Sequence, residues 1–236
     1  IEIGMHKIEG LSDKFVYFND DTFLLRPIEP SFFFRNGLPV HYAALHPIVP
    51  QGLLANSIVT HVTANAVTII NRHFDSRNQI RKNWKKWFMP NKVGFKTALL
   101  NFLYSQHSAF IGFGNAHLPV PMLKKTIEEV WAKEPEILNE TRKSRFRSIN
   151  DVSQYLFRYW DLASGNFYPT SMEKLGKKYE LSLGSAAFDV VRNRSCNMVC
   201  LQDAEECDLE EVFNQVQSNL IKAFDAIFPE KSSFEK

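Results

Sequence analysis

Cysteine is sparse in this chain: Cys196, Cys200 and Cys207 are odd in number and no two form a CxxC pair. That excludes a zinc ribbon or a dithiol redox motif and leaves reduced thiols of the kind cytosolic proteins carry. Long hydrophobic runs are missing too. None reaches the roughly 18 residues that cross a bilayer, and no secretory leader pattern is visible. A chain that opens on Ile1 without a Met says nothing about targeting. Excess charge of one sign is also lacking, since 28 Lys and Arg oppose 26 Asp and Glu for a net charge of +2. A globally polyanion-binding protein is excluded, and any attraction for anions is local. Internal repeats and low-complexity tracts are absent, which rules out a solenoid.

What is present suits one sizeable core. A length of 236 residues and a hydrophobic content of 44% predict a single domain, and 20 Phe with 4 Trp make its core strongly aromatic. Strands are expected at Phe15 to Phe18, Thr22 to Leu25 and Phe32 to Arg35, separated by turn signals at Arg26-Pro27, Glu29-Pro30 and Asn36-Gly37. From Leu53 to Phe74 an apolar, β-branched stretch fits either helix or strand. Leu123, Ile127, Val130 and Trp131 fall at helical spacing, as do Val152, Tyr155, Leu156 and Tyr159. The stripe Leu209, Val212, Phe213, Val216, Leu220, Phe224, Ile227 and Phe228, closed by Pro229, predicts a core-packing helix. The fold class expected is α/β, a nucleotide-binding, Rossmann-like sheet flanked by helices, with a helix-rich C-terminal part.

One run carries chemistry. FVYFNDD, from Phe15 to Asp21, reads as a buried strand closed by Asn19, Asp20 and Asp21. Adjacent carboxylates at the mouth of such a strand are costly unless a cation or a donor meets them. Ligands of open α/β sheets bind outside the carboxyl ends of strands. The run therefore fits a site for a hard cation and for phosphate chemistry. Asp pairs are equally ordinary turn formers.

The stretch IEIGMHKIEGLSDKFVYFNDDTFLLRPI, residues 1–28, resembles the second conserved region of the Stealth family of sugar-phosphate transferases. Its pattern there is a glutamate, H-R/K-I-x-G-L-S, then an apolar strand closed by N-D-D. Glu2, His6, Lys7, Ile8, Gly10, Leu11, Ser12, Asn19, Asp20 and Asp21 match. NAHLPVP, residues 115–121, resembles the third region with its H-x-P, and RFRSINDVSQYLFRYW, residues 145–160, the fourth. The ending FPEKSSFEK looks like that of bacterial members. The family's first region, an apolar strand followed by W-V-D-G, has no counterpart here. Residues 1–236 are thus expected to be the C-terminal part of a longer polypeptide.

The resemblance implies an enzyme that moves N-acetylhexosamine 1-phosphate from a UDP-linked donor to a hydroxyl of a capsular oligosaccharide or polysaccharide, releasing UMP. It implies Asp21 as the essential carboxylate with Glu2 as a second acid, both on Mg2+ (or Mn2+), and His117 and Arg147 as catalytic. Asn19, Asp20, Arg145 and Asp151 become candidate substrate contacts. Residue chemistry agrees in part. Imidazole suits the removal of a hydroxyl proton, and Pro119 and Pro121 stiffen the loop that holds His117. Guanidinium binds phosphate oxygens bidentately, and the start of the fourth-region helix, expected just after Arg147, would add its own N–H groups. Arg145 fits a phosphate contact or a surface charge equally. Ser148 and Asp151 stand at capping-box spacing, so Asp151 also fits a helix cap. His6 is read as structural.

From Arg72 to Lys96, eight cations (Lys85 and Lys86 among them) face one acid, Asp75, with Trp84, Trp87 and Phe88 interleaved. That mixture suits a phosphate-linked sugar polymer, a lipid surface or a solvated helix face; nucleic acid ranks low, because no RNA- or DNA-binding motif accompanies it. Two rival readings stay open: a non-catalytic polyanion-binding module and a magnesium-dependent phosphohydrolase. The expected location is the bacterial cytoplasm, with peripheral contact to the inner membrane.

Overall fold

A computed structural model describes residues 2–49, 58–231 and 233. Leu53 to Ser57 of the ambiguous apolar stretch, and most of the closing SSFEK, lie outside them. The strands are β1 (Lys14–Tyr17), β2 (Thr22–Leu24), β3 (Phe34–Arg35), β4 (Leu38–Tyr42), β5 (Val120–Leu123), β6 (Tyr168–Thr170), β7 (Gly176–Leu181) and β8 (Met198–Asp203). The helices are α1 (Pro30–Phe33), α2 (Ile58–His73), α3 (Ser76–Lys82), α4 (Trp84–Trp87), α5 (Pro90–Val93), α6 (Phe95–Tyr104), α7 (Lys124–Lys133), α8 (Pro135–Lys143), α9 (Tyr155–Ser164), α10 (Met172–Leu175), α11 (Ala187–Arg192) and α12 (Glu210–Asp225). The class is mixed α/β. Among the described residues the strands form three small sheets, β1-β5, β3-β4-β6 and β2-β8-β7, in place of the one nucleotide-binding sheet that the sequence suggests.

Two compact units share the chain. The first comprises Ile1–Tyr17, Pro30–Asn115 and Val120–Ser171; the second comprises Phe18–Glu29, Ala116–Pro119 and Met172–Lys236. In the first unit Trp87, Phe157, Tyr159, Trp160 and Phe167 are fully buried, the aromatic core that the composition predicts. The hairpin β3-β4 turns on Asn36-Gly37, both at positive φ (52° and 78°), as a two-residue turn requires. Helix α9 ends at Gly165, at φ 80°, where a Cβ would collide with the Asn83 side chain. In the second unit α11 connects the parallel strands β7 and β8. Leu25, Leu181, Phe188, Val191, Val199 and Val216 form its core.

Three sequence expectations change. The strand at Phe15 is not buried on both faces: among the described residues β1 pairs only with β5, and Phe15, Val16 and Tyr17 are half-buried. Pro30 starts a helical turn, which delays the next strand to Phe34. The C-terminal stripe is core along Val216 and Ile227, but Leu209, Phe213 and Phe228 remain exposed. The helices expected around residues 123–131 and after Ser148 form as α7 and α9.

A buried polar network braces the first unit. His41 Nε2 lies 3.4 Å from Asp161 Oδ2, and Thr126 Oγ1 donates to Asp161 Oδ1 at 2.7 Å. Burial pushes the His41 imidazole down and the Asp161 carboxyl up, so each is disfavoured as a lone ion. Arg158 donates to Asn115 Oδ1, Tyr42 O and Gly114 O at 2.8–2.9 Å, which fixes the chain just before residue 116. Removing one partner of a buried group costs its desolvation, about 1–3 kcal/mol. Thr126→Val, which keeps the volume, is expected to lower unfolding free energy by about that amount in urea titration. An unchanged midpoint would show that Asp161 Oδ1 does not depend on Thr126.

Candidate functional site

The second unit gathers the acidic motif and the loop histidine. Asp21 ends the turn before β2, and its carbonyl accepts from Leu201 N at 2.8 Å, which ties it to β8. His117 reaches it from the segment Ala116–Pro119, with Nε2 3.0 Å from Asp21 Oδ2. His117 stands at φ 49°, a left-handed conformation that costs a non-glycine residue on the order of 1 kcal/mol. Pro119 restricts the same segment. Strain of this kind collects where a side chain's aim matters more than backbone comfort.

Asp21 is bound asymmetrically. Oδ2 is approached by His117 Nε2, by Cys200 Sγ at 3.3 Å and by Gln202 Nε2 at 3.3 Å. Oδ1 is buried and has no hydrogen-bond partner among the described residues. The Gln202 amide also lies 3.1 Å from His117 Nε2. Of the two neighbours of Nε2, the carboxylate is nearer and charged, so the proton belongs on Nε2 and is donated to Asp21. The Nδ1 of His117, with no hydrogen bond among the described residues, then carries the ring's lone pair. Burial, then the Asp21 carboxylate, pushes the Cys200 thiol up to about 12. It therefore stays an S–H donor. Nothing in the sequence singles out Cys200 and Gln202; the usable signal is their two-residue spacing, which puts both on one face of β8.

The first unit holds the other two acid and base candidates. Tyr17 donates its O–H to Glu2 Oε1 at 3.1 Å, and Arg147 Nη2 lies 3.7 Å from the same oxygen. Burial and the Glu2 carboxylate both raise the Tyr17 phenol, so it remains a donor. Arg147 is 69% exposed, and such a pair contributes little stability. Its guanidinium keeps donors for a further partner.

The remaining candidates spread out. Asn19 uses its carbonyl on Thr22, while Asp20 is exposed in the turn. Arg145 is exposed beside Phe146. Asp151 is buried, accepting from Ser144 Oγ at 2.8 Å and Ser148 N at 2.7 Å. It braces a loop and caps no helix, because α9 begins only at Tyr155, eight residues past Arg147. Lys85 is exposed; Lys86 is half-buried, donating to Gly165 O at 2.5 Å. His6 packs on Trp131, the structural part expected of it.

Asp21, His117 and Cys200 are the one grouping of three potential metal-ligand side chains among the described residues, within 4.8 Å of one another. As N, O and S donors they would suggest a softer metal, but a protonated thiol is a poor ligand. The buried, unmet Asp21 Oδ1 instead fits one carboxylate contact to a hard cation completed by phosphate oxygens.

No protein-family model matches the chain. Individual relatives do. The receptor polysaccharide phosphotransferase WefC of Streptococcus oralis is 38% identical over 237 residues, covering 100% of this chain and 68% of the relative. The capsular polysaccharide phosphotransferase WcwK of Streptococcus pneumoniae is 36% identical with the same coverage. The exopolysaccharide phosphotransferase cps2G of Lactiplantibacillus plantarum is 32% identical, covering 100% and 67%. Identity of this extent along the whole chain settles membership: the chain belongs to the Stealth family of bacterial polysaccharide phosphotransferases.

Gln202 tests the asymmetric geometry. Residues that orient a reactive carboxylate or imidazole typically contribute about 10–100-fold in activity. Gln202→Leu is expected to lower turnover by about that factor with an unchanged melting temperature. Gln202→Glu should lose more, since it sets a like charge beside Asp21. Wild-type turnover in both variants would remove Gln202 from the site.

Proposed function

We propose that this chain transfers a sugar 1-phosphate, an N-acetylhexosamine 1-phosphate from a UDP-linked donor, to a hydroxyl of a capsular oligosaccharide or polysaccharide, releasing UMP. The observation that carries the reading is the Asp21–His117 pair, with Oδ2 on Nε2 and Oδ1 unmet, in a chain of this family. His117 Nδ1 takes the proton of the acceptor hydroxyl as its oxygen attacks the phosphorus bonded to the sugar. The bond to the bridging oxygen breaks, and UMP leaves with the electron pair. Attack at phosphorus leaves the anomeric centre untouched, so its configuration is retained. Asp21 Oδ2 keeps the imidazole in the reactive tautomer and steadies its positive charge afterwards.

Asp21 Oδ1 would hold Mg2+ or Mn2+, which when bound neutralises diphosphate charge. Arg147, steadied by Glu2, would bind phosphate oxygens. Tyr17 keeps that glutamate in place. Asp151, with both oxygens engaged, serves by shaping the loop that carries Arg147, and Arg145, Asn19 and Asp20 stand as outer substrate contacts. A Rossmann-like use of β7-α11-β8 is supported by Gln202, which lies near the carboxyl end of β8, where such folds bind ligands. The bacterial cytoplasm is the proposed compartment. No helix among the described residues is long and apolar enough to cross a membrane.

Incubation with UDP-N-acetylhexosamine and an oligosaccharide primer separates this reading from its rivals. The expected products are a phosphodiester-extended primer and UMP, both lost in EDTA. Free sugar 1-phosphate with UMP would mark a hydrolase, and binding without turnover a polyanion-binding module. The division of labour gives a finer test. Proton transfer by a placed side chain contributes about 10²–10⁴-fold, so His117→Ala should cut kcat by that range with donor KM nearly unchanged. Arg147→Ala should raise donor KM as well, with Arg147→Lys restoring only part because the bidentate fork is lost. Lost donor binding in His117→Ala with retention in Arg147→Ala would reverse the two roles.

A further inference from the structure

Helix α6 leaves an apolar face uncovered. Phe95 is 76% exposed, Phe102 57%, Leu103 54% and Leu99 51%, although these residues sit on a helix whose Ala98 and Asn101 are buried. At 100° per residue the four exposed side chains fall within an arc of about 100°, with Lys96 at its edge. Buried Asn101 fixes the roll of the helix by bonding Leu45 N, Ala43 O and Trp87 O at 2.7–2.8 Å, so the apolar arc is held outward. The face continues onto α4. Phe88 meets Phe102 with ring centroids 6.2 Å apart, and Trp84, one turn before Phe88, is 51% exposed. Large apolar side chains this exposed and this close mark an interaction surface.

Charge identifies the occupant. From Ser76 to Tyr104 there are seven cations and no Asp or Glu. Arg81, Lys82, Lys85 and Lys96 are exposed. A soluble polyanion would use the cations and stack on Trp84, but Leu99, Leu103 and two exposed Phe offer a phosphate nothing. A protein partner or a second copy would explain the apolar arc but not a stretch so one-sided in charge. An apolar helical face bordered by Lys and Arg with an interfacial Trp has the composition of a helix that lies in the headgroup layer of an anionic membrane. We infer that α6, with the cations of α3, α4 and α5 beside it, is a membrane-docking face for anionic phospholipid, inserting Phe95, Leu99, Phe102 and Leu103 at the headgroup boundary. The proposed transfer reaction places this chain where an acceptor glycan is built but is not needed for the inference.

The test is vesicle co-sedimentation of the purified chain. It should bind vesicles of mixed phosphatidylglycerol and phosphatidylcholine and not phosphatidylcholine alone, and binding should weaken as salt rises. Each basic residue near an anionic surface contributes about fivefold, so Lys82→Ala/Lys96→Ala, both at exposed positions, should lower partitioning by about 25-fold. Phe95→Ser/Leu103→Ser, which alters only exposed positions, should lower it further and abolish the part that survives salt. Turnover on a soluble primer should stay at wild type in both pairs, which keeps this inference separable from the catalytic one. Three results overturn it: no vesicle binding; binding that ignores the apolar pair while soluble anionic polysaccharide competes; or dimers in light scattering that Phe95→Ser/Leu103→Ser dissolves.

Discussion

Asp21 has two carboxylate oxygens in very different surroundings, and the catalytic role assigned to the site depends on that difference. Oδ2 is crowded by His117 Nε2, the Cys200 thiol and the Gln202 amide, while Oδ1 is buried with no partner among the described residues. A buried carboxylate oxygen left without a donor is destabilising, which supports its proposed use in holding a cation. The crowded oxygen has a second effect. By accepting the Nε2–H hydrogen bond it favours the His117 tautomer with its lone pair on Nδ1. In the proposed reaction one carboxylate would thereby set both the base and the seat for positive charge.

The fold supplies what such a pair needs. β8 carries Cys200 and Gln202 on one face, and the Leu201–Asp21 backbone bond fixes the turn against it. His117 accepts a left-handed backbone, at φ 49°, in a segment restricted by Pro119. In the first unit, Arg158 commits its donors to Asn115, Tyr42 and Gly114, which holds that unit's own chain in place as far as Asn115. The Tyr17–Glu2–Arg147 group shows the opposite arrangement: a donor and a carboxylate steady a largely exposed guanidinium that stays available to an anion.

Much of this is legible in the sequence itself. The N-D-D run and the H-x-P loop point to Asp21 and His117, and helical periodicity places α7, α9 and α12 near their observed spans. Asn36-Gly37 marks its hairpin. The rest is hidden for physical reasons. An apolar run cannot reveal how many strands will flank it, so β1 reads as buried although, among the described residues, only β5 pairs with it. Capping-box spacing cannot tell a helix cap from a loop brace, which misplaces the helix start after Arg147. Cys200 meets Asp21 across 179 residues of chain, through a strand pairing beyond any local pattern, and Gln202 does so from the same strand. The exposed arc of α6 is equally hidden, because a stripe of Phe and Leu at helical spacing reads as core until its packing is known.

The tautomer of His117 decides most directly whether Asp21 sets the base. Nitrogen-15 NMR of the neutral imidazole, assigned by comparison with His117→Ala, reports which ring nitrogen carries the proton. The proton is expected on Nε2, with the Nε2 resonance moving when Asp21→Asn weakens the acceptor. A ring protonated on Nδ1, or an Nε2 resonance indifferent to Asp21→Asn, would refute that role for Asp21.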